Sequence, residues 1–362
     1  MTEYILLTLG LGAMYLLSPK FTQDDQKRTR FVYICFFVGF FLLLALRHPS
    51  MGIDLQYGKY DGYLAGFREI HDLSWEQIFS NVPFRNYEKG FVVFCKLIGN
   101  IFLNEQFFLA ACAAAALIPL SIAIWLSSED KLMSAAIFLG LPIFCLLFST
   151  LRQIIAIGIC ALGIVCIQRK KPLPFLFAVL LAATFHKTAL VFLLAYPLYH
   201  LRLTKAVRVI SVILLPACYV LRENLMVLLS RLLGLHVVLD NNGSFMLFLL
   251  FSLIYVIGFW MSDDQKSEQN GFLNIFFLAC LVQAFSGIYN IATRMGYYFT
   301  LALIFFLPSL VGNAKESNER TAARWTVIIA FVTIGLYFIY VTTWSISYPY
   351  YFFWETVPGL AK

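Results

Sequence analysis

Charge is scarce in this chain. Only 13% of its 362 residues are Asp, Glu, Lys or Arg, and 60% are hydrophobic. A soluble domain carries about 25% charged and about 45–50% apolar residues, so a soluble globular protein is excluded. The eight cysteines fall almost all inside apolar stretches, with no CxxC and no Cys/His ligand spacing. That pattern suits buried small hydrophobes, not a zinc site or a redox pair. Internal repeats, low-complexity tracts and a separate soluble domain are also missing. What is present is apolar sequence in blocks of about 16–21 residues, close to the ~17–25 that cross a bilayer as a helix. Thirty-six Phe and nineteen Tyr suit lipid-facing and interfacial surfaces. The fold expected is an all-α polytopic integral membrane protein of about twelve transmembrane helices, one domain over 1–362.

The expected spans are 3–19, 30–46, 106–126, 132–149, 152–168, 173–185, 188–200, 206–221, 245–261, 271–289, 295–312 and 325–343. The first block lacks a basic start and an evident small-residue cleavage site, so it reads as an uncleaved helix. A formal net charge of +7 is a topology signal here and does not point to nucleic acid. Lys20, Lys27, Arg28 and Arg30 lie in the first connection, and Arg169, Lys170 and Lys171 follow the fifth span. Arg202, Lys205 and Arg208 follow the seventh, and Lys315, Arg320 and Arg324 precede the last. The positive-inside rule wants all four clusters in the cytoplasm. Twelve crossings with both termini outside achieve this.

Two places strain that solution. Segment 90–103 is apolar but short and carries Lys96, so it is expected as an interfacial or re-entrant helix on the outer face. The run 173–200 is long for one span and short for two. A single tilted helix would put the Arg202–Arg208 cluster outside, so the charges favour a tight hairpin with Phe185-His186-Lys187 at its outer apex. The extracytoplasmic regions are then 47–105, rich in Gly, Asp, Tyr and Arg, and 222–244, expected to begin as an amphipathic helix on the outer leaflet.

Several chemically capable residues converge on the outer face in this topology: Arg47, Asp54 and Tyr57, Arg152 and Gln153, His186 and Lys187, and Arg294. Each has a plain alternative. Arg47 at a helix end can snorkel to headgroups, His186 can be a capped loop histidine, and Asp61 and Tyr63 can be turn residues. Arg152 and Arg294 are harder to dismiss, because an Arg held at membrane depth normally needs an anionic partner. Fixed guanidinium groups bind phosphate oxygens bidentately, and a neighbouring His exchanges a proton near neutral pH. A lipid diphosphate with its head group in water fits such a cluster.

In its ALRHPSMGIDLQYGKY, EKGFVVFCKLIGNIF, FSTLRQIIAIGI, AATFHKTALVFLLAYPLY, ATRMGYYF and SYPYYFFWE stretches, taken in order, the chain resembles the EpsG family of Wzy-like exopolysaccharide polymerases. The resemblance implies a multi-pass enzyme of the bacterial cytoplasmic membrane acting on its extracytoplasmic face. It would move a growing glycan from undecaprenyl diphosphate onto the next lipid-linked repeat unit. No cofactor or metal is expected, and no D-x-D stands in the outer loops. Under this reading the catalytic candidates are His186, Arg152, Arg294 and Asp54, with His186 or Asp54 as base and Glu88 a weaker rival. Arg47, Tyr57, Gln153, Lys187, Glu88 and Tyr297 are the substrate-binding candidates. The partners are an undecaprenyl-diphosphate-linked oligosaccharide and the lipid bilayer, with a chain-length regulator as a further candidate. Alternatives are a flippase for lipid-linked oligosaccharide, an O-antigen-ligase-like transferase, and an acyltransferase.

Overall fold

The computed structural model describes residues 1–17, 24–56, 62–80, 84–233, 245–263, 265–286, 288–343 and 345–358. Among them the ordered elements are helices, and the backbone pairing between Arg47 and Phe352 is an isolated bridge. Helices α1 (Thr2–Leu17) and α2 (Asp25–Leu46) come first. Then follow the short helices α3 (Tyr63–Asp72), α4 (Trp75–Phe79) and α5 (Lys89–Ile101). The next group is α6 (Glu105–Ser127), α7 (Lys131–Gly140), α8 (Leu151–Gln168), α9 (Pro172–Phe185) and α10 (Ala195–His200). The chain closes with α11 (Lys205–Val220), α12 (Arg222–Leu233), α13 (Phe245–Met261), α14 (Ser267–Ala284), α15 (Asn290–Val311) and α16 (Ser317–Val341). The chain is a multi-pass, all-helical membrane protein. Among the described residues a helical segment overlaps each expected span, but fewer than twelve of these segments are of spanning length. Five described helices, α2, α6, α8, α15 and α16, are each long and apolar enough to cross a membrane alone. The others are shorter or interrupted.

The interruptions have local causes. At Gly140-Leu141-Pro142 the proline withholds an N–H, and the chain continues as a 3-10 segment over Pro142–Leu147. Helix α8 ends where Lys170 takes φ 54 and the Lys171 N–H reaches back to the Cys166 carbonyl at 2.9 Å. Pro172 then opens α9, where a missing N–H costs nothing. Helix α12 leaves α11 at 83°, so the expected amphipathic helix over 222–244 begins as a sharp turn away from the preceding segment. Residues 234–244 lie outside the described residues.

The run 173–200 folds back on itself. Helix α9 stops at Phe185, and His186 is extended at φ −155, ψ 113. A 3-10 segment over Lys187–Leu194 leads into α10. The Phe175 ring packs 5.3 Å from Tyr196, whereas a continuous helix would hold those residues about 30 Å apart. This is the hairpin expected from the flanking charges.

The described basic connections gather at one end of the bundle. Arg28 and Arg324 both stand over the Tyr15 ring, and Arg324 pairs with Asp130. Lys266 Nζ donates to Asn313 Oδ1 at 2.8 Å between the α13–α14 and α15–α16 connections. Lys170, Arg202, Lys205 and Arg208 share one cavity. Lys20 falls outside the described residues. The opposite end carries α3 to α5, the start of α8 and the hairpin apex. Helix α5 has 13 residues, about 20 Å at 1.5 Å per residue, and a lysine interrupts its apolar sequence. Its Lys96 donates to the His71 carbonyl at 2.5 Å.

Close packing aligns the helices that reach this end. A Cβ on Gly158 of α8 would come 2.4 Å from the Ala116 carbonyl of α6. Small residues let membrane helices approach to backbone contact, where packing replaces the absent hydrophobic drive. That contact holds the helix whose first turn bears Arg152.

Candidate active site

The cluster is assembled from elements far apart in sequence. Glu88 precedes α5, Arg152 lies in the first turn of α8, and His186 ends α9. Glu88 Oε2 accepts from Arg152 Nη1 at 2.5 Å, and Glu88 Oε1 accepts from the Lys187 backbone N–H at 3.1 Å. His186 Nδ1 stands 3.5 Å from the same Oε1. Gly90 permits this approach, since a Cβ there would lie 2.1 Å from Thr184 Oγ1 and 2.8 Å from the Thr184 carbonyl. Thus α5 sits directly on the last turn of α9.

Arg152 is fixed on several sides. Its Nε donates to Tyr63 Oη and its Nη1 to the Asn86 carbonyl, both at 3.1 Å. Its guanidinium lies 4.7 Å from the Tyr87 ring centroid. Glu88 is therefore the anionic partner that the sequence demanded for Arg152. The protein supplies it, so Arg152 by itself does not call for a diphosphate.

Burial raises the Glu88 carboxyl, but His186, the Lys187 N–H and Arg152 outweigh it and hold the group at about 2. Glu88 is thus ionised near neutrality and too weak a base to take a hydroxyl proton, which disfavours it as rival base. His186 is buried, and neither ring nitrogen makes a hydrogen bond among the described residues; Nδ1 faces Glu88 only as the 3.5 Å contact.

Asp54 follows the turn at Gly52, and its backbone N–H donates to Ser149 Oγ at 3.2 Å. Burial raises its carboxyl above the ordinary value, opposed by the charge of Arg294, the Ser149 hydroxyl and the charge of Arg152. Both arginines therefore share its field. Arg294 is exposed and its side chain makes no hydrogen bond or ion pair among the described residues. Its carbonyl accepts from Gln153 Nε2 at 2.7 Å, so the buried Gln153 ties α8 to α15.

The remaining candidates divide. Lys187 is exposed at the apex and meets Glu88 through its backbone. Tyr297 is half-buried one turn from Arg294. Tyr298 reaches the hairpin instead, its Oη 3.3 Å from Thr188 Oγ1. Tyr57, like Asp61, lies outside the described residues. Arg47 does not join the cluster. It is buried, donates to the Leu147 carbonyl at 2.9 Å, stacks over Phe148 and pairs through its backbone with Phe352. It is neither a headgroup anchor nor, in this conformation, open to a ligand. Sequence reasoning overlooked Tyr63 and Tyr87 as clamps on Arg152. Their one signal was an aromatic-rich outer loop.

A helical scaffold carrying a carboxylate, a histidine and two arginines at one end defines a class: a multi-pass membrane protein with a polar cluster at one end of its helices. The family model described as the EpsG family matches residues 30–353. The chain belongs to that family, a family of Wzy-like exopolysaccharide polymerases. No curated protein and no solved structure matches it.

Proposed function

We propose that this protein polymerises a lipid-linked glycan at the extracytoplasmic face of the cytoplasmic membrane. The growing chain leaves its undecaprenyl diphosphate carrier and joins the non-reducing end of the next lipid-linked repeat unit. The observation that carries this reading is the His186–Glu88–Arg152 arrangement with Arg294 beside it, at the end of the bundle opposite the basic connections. The positive-inside rule assigns that basic end to the cytoplasm. The twelve helical segments are then read as twelve crossings, several of them short or broken.

The geometry supports the following roles. Ionised Glu88 orients His186 through Nδ1, leaving Nε2 to accept the proton of the acceptor hydroxyl. The hydroxyl oxygen forms the new bond to the anomeric carbon. The bond from that carbon to the diphosphate oxygen breaks, and the diphosphate leaves with the electron pair. Arg294, whose exposed side chain makes no hydrogen bond or ion pair among the described residues, meets the charge that develops there. Arg152, locked by Glu88 and two tyrosines, positions the cluster and adds its charge. Asp54, with its raised carboxyl, is the rival base.

The test is polymer length in cells supplied with lipid-linked repeat units. His186→Ala is expected to leave single repeat units exported but unpolymerised. Export of no repeat unit would indicate a flippase and refute the polymerase reading. Long polymer at the normal yield would refute the role of His186.

A further inference from the structure

At the basic end, a cavity of about 520 Å³ is lined by Lys170, His200, Arg202, Lys205, Arg208 and Glu268, among others. It lies where the end of α8, the end of the hairpin and the starts of α11 and α14 meet. Arg208 is 3% exposed. Its Nη2 donates to the neutral Asn270 Oδ1 at 2.6 Å, while its Nε and Nη1 have no partner. A buried cation without anionic compensation is strongly unfavourable. Arg152 at the other end has Glu88, whereas Arg208 has a neutral amide.

The cavity adjoins a second space that suits hydrocarbon. A groove of about 460 Å³ between α11 and α13 is lined by Val209, Val212, Phe259 and Trp260, and Lys205 borders both spaces. Val209 and Trp260 are exposed at 49% and 82%. A cationic recess opening onto an apolar groove between helices has the shape of a phospholipid: phosphate in the recess, acyl chain along the groove. Basic recesses between helices on the cytoplasmic side suit anionic headgroups.

We infer that this recess and groove form a binding site for one anionic phospholipid of the cytoplasmic leaflet. Its phosphate would compensate Arg208 and meet Arg202 and Lys170 at the rim, while its chain lies against Val209 and Trp260. The site joins α8 and the hairpin at the ends opposite Arg152 and His186, and it does not depend on the reaction assigned to those residues.

The test uses the full chain purified in a neutral detergent. Phosphatidylglycerol, phosphatidylcholine or inorganic phosphate is titrated while the unfolding temperature is followed, and native mass spectrometry counts bound lipid. The expected result is a saturable rise with phosphatidylglycerol at one lipid per chain. Phosphatidylcholine and inorganic phosphate should give neither. Lys170→Ser with Arg202→Ser, both exposed positions, should weaken half-saturation about tenfold or more, as the loss of two charge-assisted contacts implies. Trp260→Ala should weaken it without changing the preference for phosphatidylglycerol. Arg208→Gln should abolish the shift, and the rim variant decides the matter if that protein fails to fold. Equal stabilisation by phosphatidylcholine, an undiminished effect in the rim variant, or an equal shift with inorganic phosphate alone would overturn the inference.

Discussion

Replacing Glu88 with Gln probes the centre of the cluster with little change of shape. In the native protein the carboxylate meets Arg152 at 2.5 Å, the Lys187 N–H at 3.1 Å and His186 Nδ1 at 3.5 Å. The Arg152 and Glu88 side chains are 18% and 15% exposed, so their pair is neither fully screened nor fully desolvated. A hydrogen bond to a charged group contributes ~1.5–3 kcal/mol, and removing one partner of a buried pair costs ~3–5 kcal/mol. Partial exposure sets the expected loss near the lower figures, about 2 kcal/mol. For a chain of this length that is about 3 °C in unfolding temperature. The pH dependence has a definite sign. The folded Glu88 carboxyl is held at about 2, below its ordinary value of 4.5. Its contribution is therefore complete above the ordinary value and fades as pH falls from there towards about 2. The difference between wild type and Glu88→Gln should be full at pH 7 and shrink below pH ~4.5. Under the proposed role of His186 as base, activity should fall further than stability, by ~10²-fold, as the carboxylate facing it is lost. Thermal unfolding of the purified protein across pH and polymer length in cells read the two effects. Wild-type unfolding temperature together with wild-type polymer would show that Glu88 neither holds Arg152 nor orients His186.

Other substitutions separate the remaining roles. Arg152→Lys keeps the charge but cannot reach Tyr63 Oη, the Asn86 carbonyl and Glu88 together, so polymer yield should drop about tenfold or more; unimpaired yield would reduce Arg152 to an anchor. Asp54→Asn removes a carboxyl whose ionisation costs the folded state. The variant should unfold at a slightly higher temperature at pH 7 and still polymerise if His186 is the base, whereas complete loss of polymer would move that role to Asp54. Gly90→Val forces α5 away from Thr184 and separates Glu88 from His186. It should lower polymer yield while the protein remains in the membrane at normal abundance, and full activity would show that this approach is not required.

Much of the scaffold was legible because the bilayer imposes it. The boundaries of α6 and α8 and the end of α2 follow from block length, and the hairpin at His186 follows from the basic clusters on either side of it. A side chain's place within the end of the bundle was less legible. Arg47 and Arg152 look alike in sequence, each at the edge of an apolar block. Only the fold shows that one is buried under the chain around Phe352 and the other is clamped by the outer loop. Glu88 was undervalued for a similar reason. It lies 64 residues from Arg152 and 99 from Lys187, and no local pattern marks an acid before a short apolar helix as the partner of either. The unpaired guanidinium of Arg208 was hidden in the opposite sense, since a cluster of loop cations reads only as orientation.

The most direct test of the account is polymerisation by the purified protein in vesicles loaded with lipid-linked repeat units, comparing wild type with His186→Ala. Polymer is expected from the wild type and unextended single units from the variant, with release of the lipid diphosphate lost in parallel. Polymer of normal length and rate from His186→Ala would contradict it.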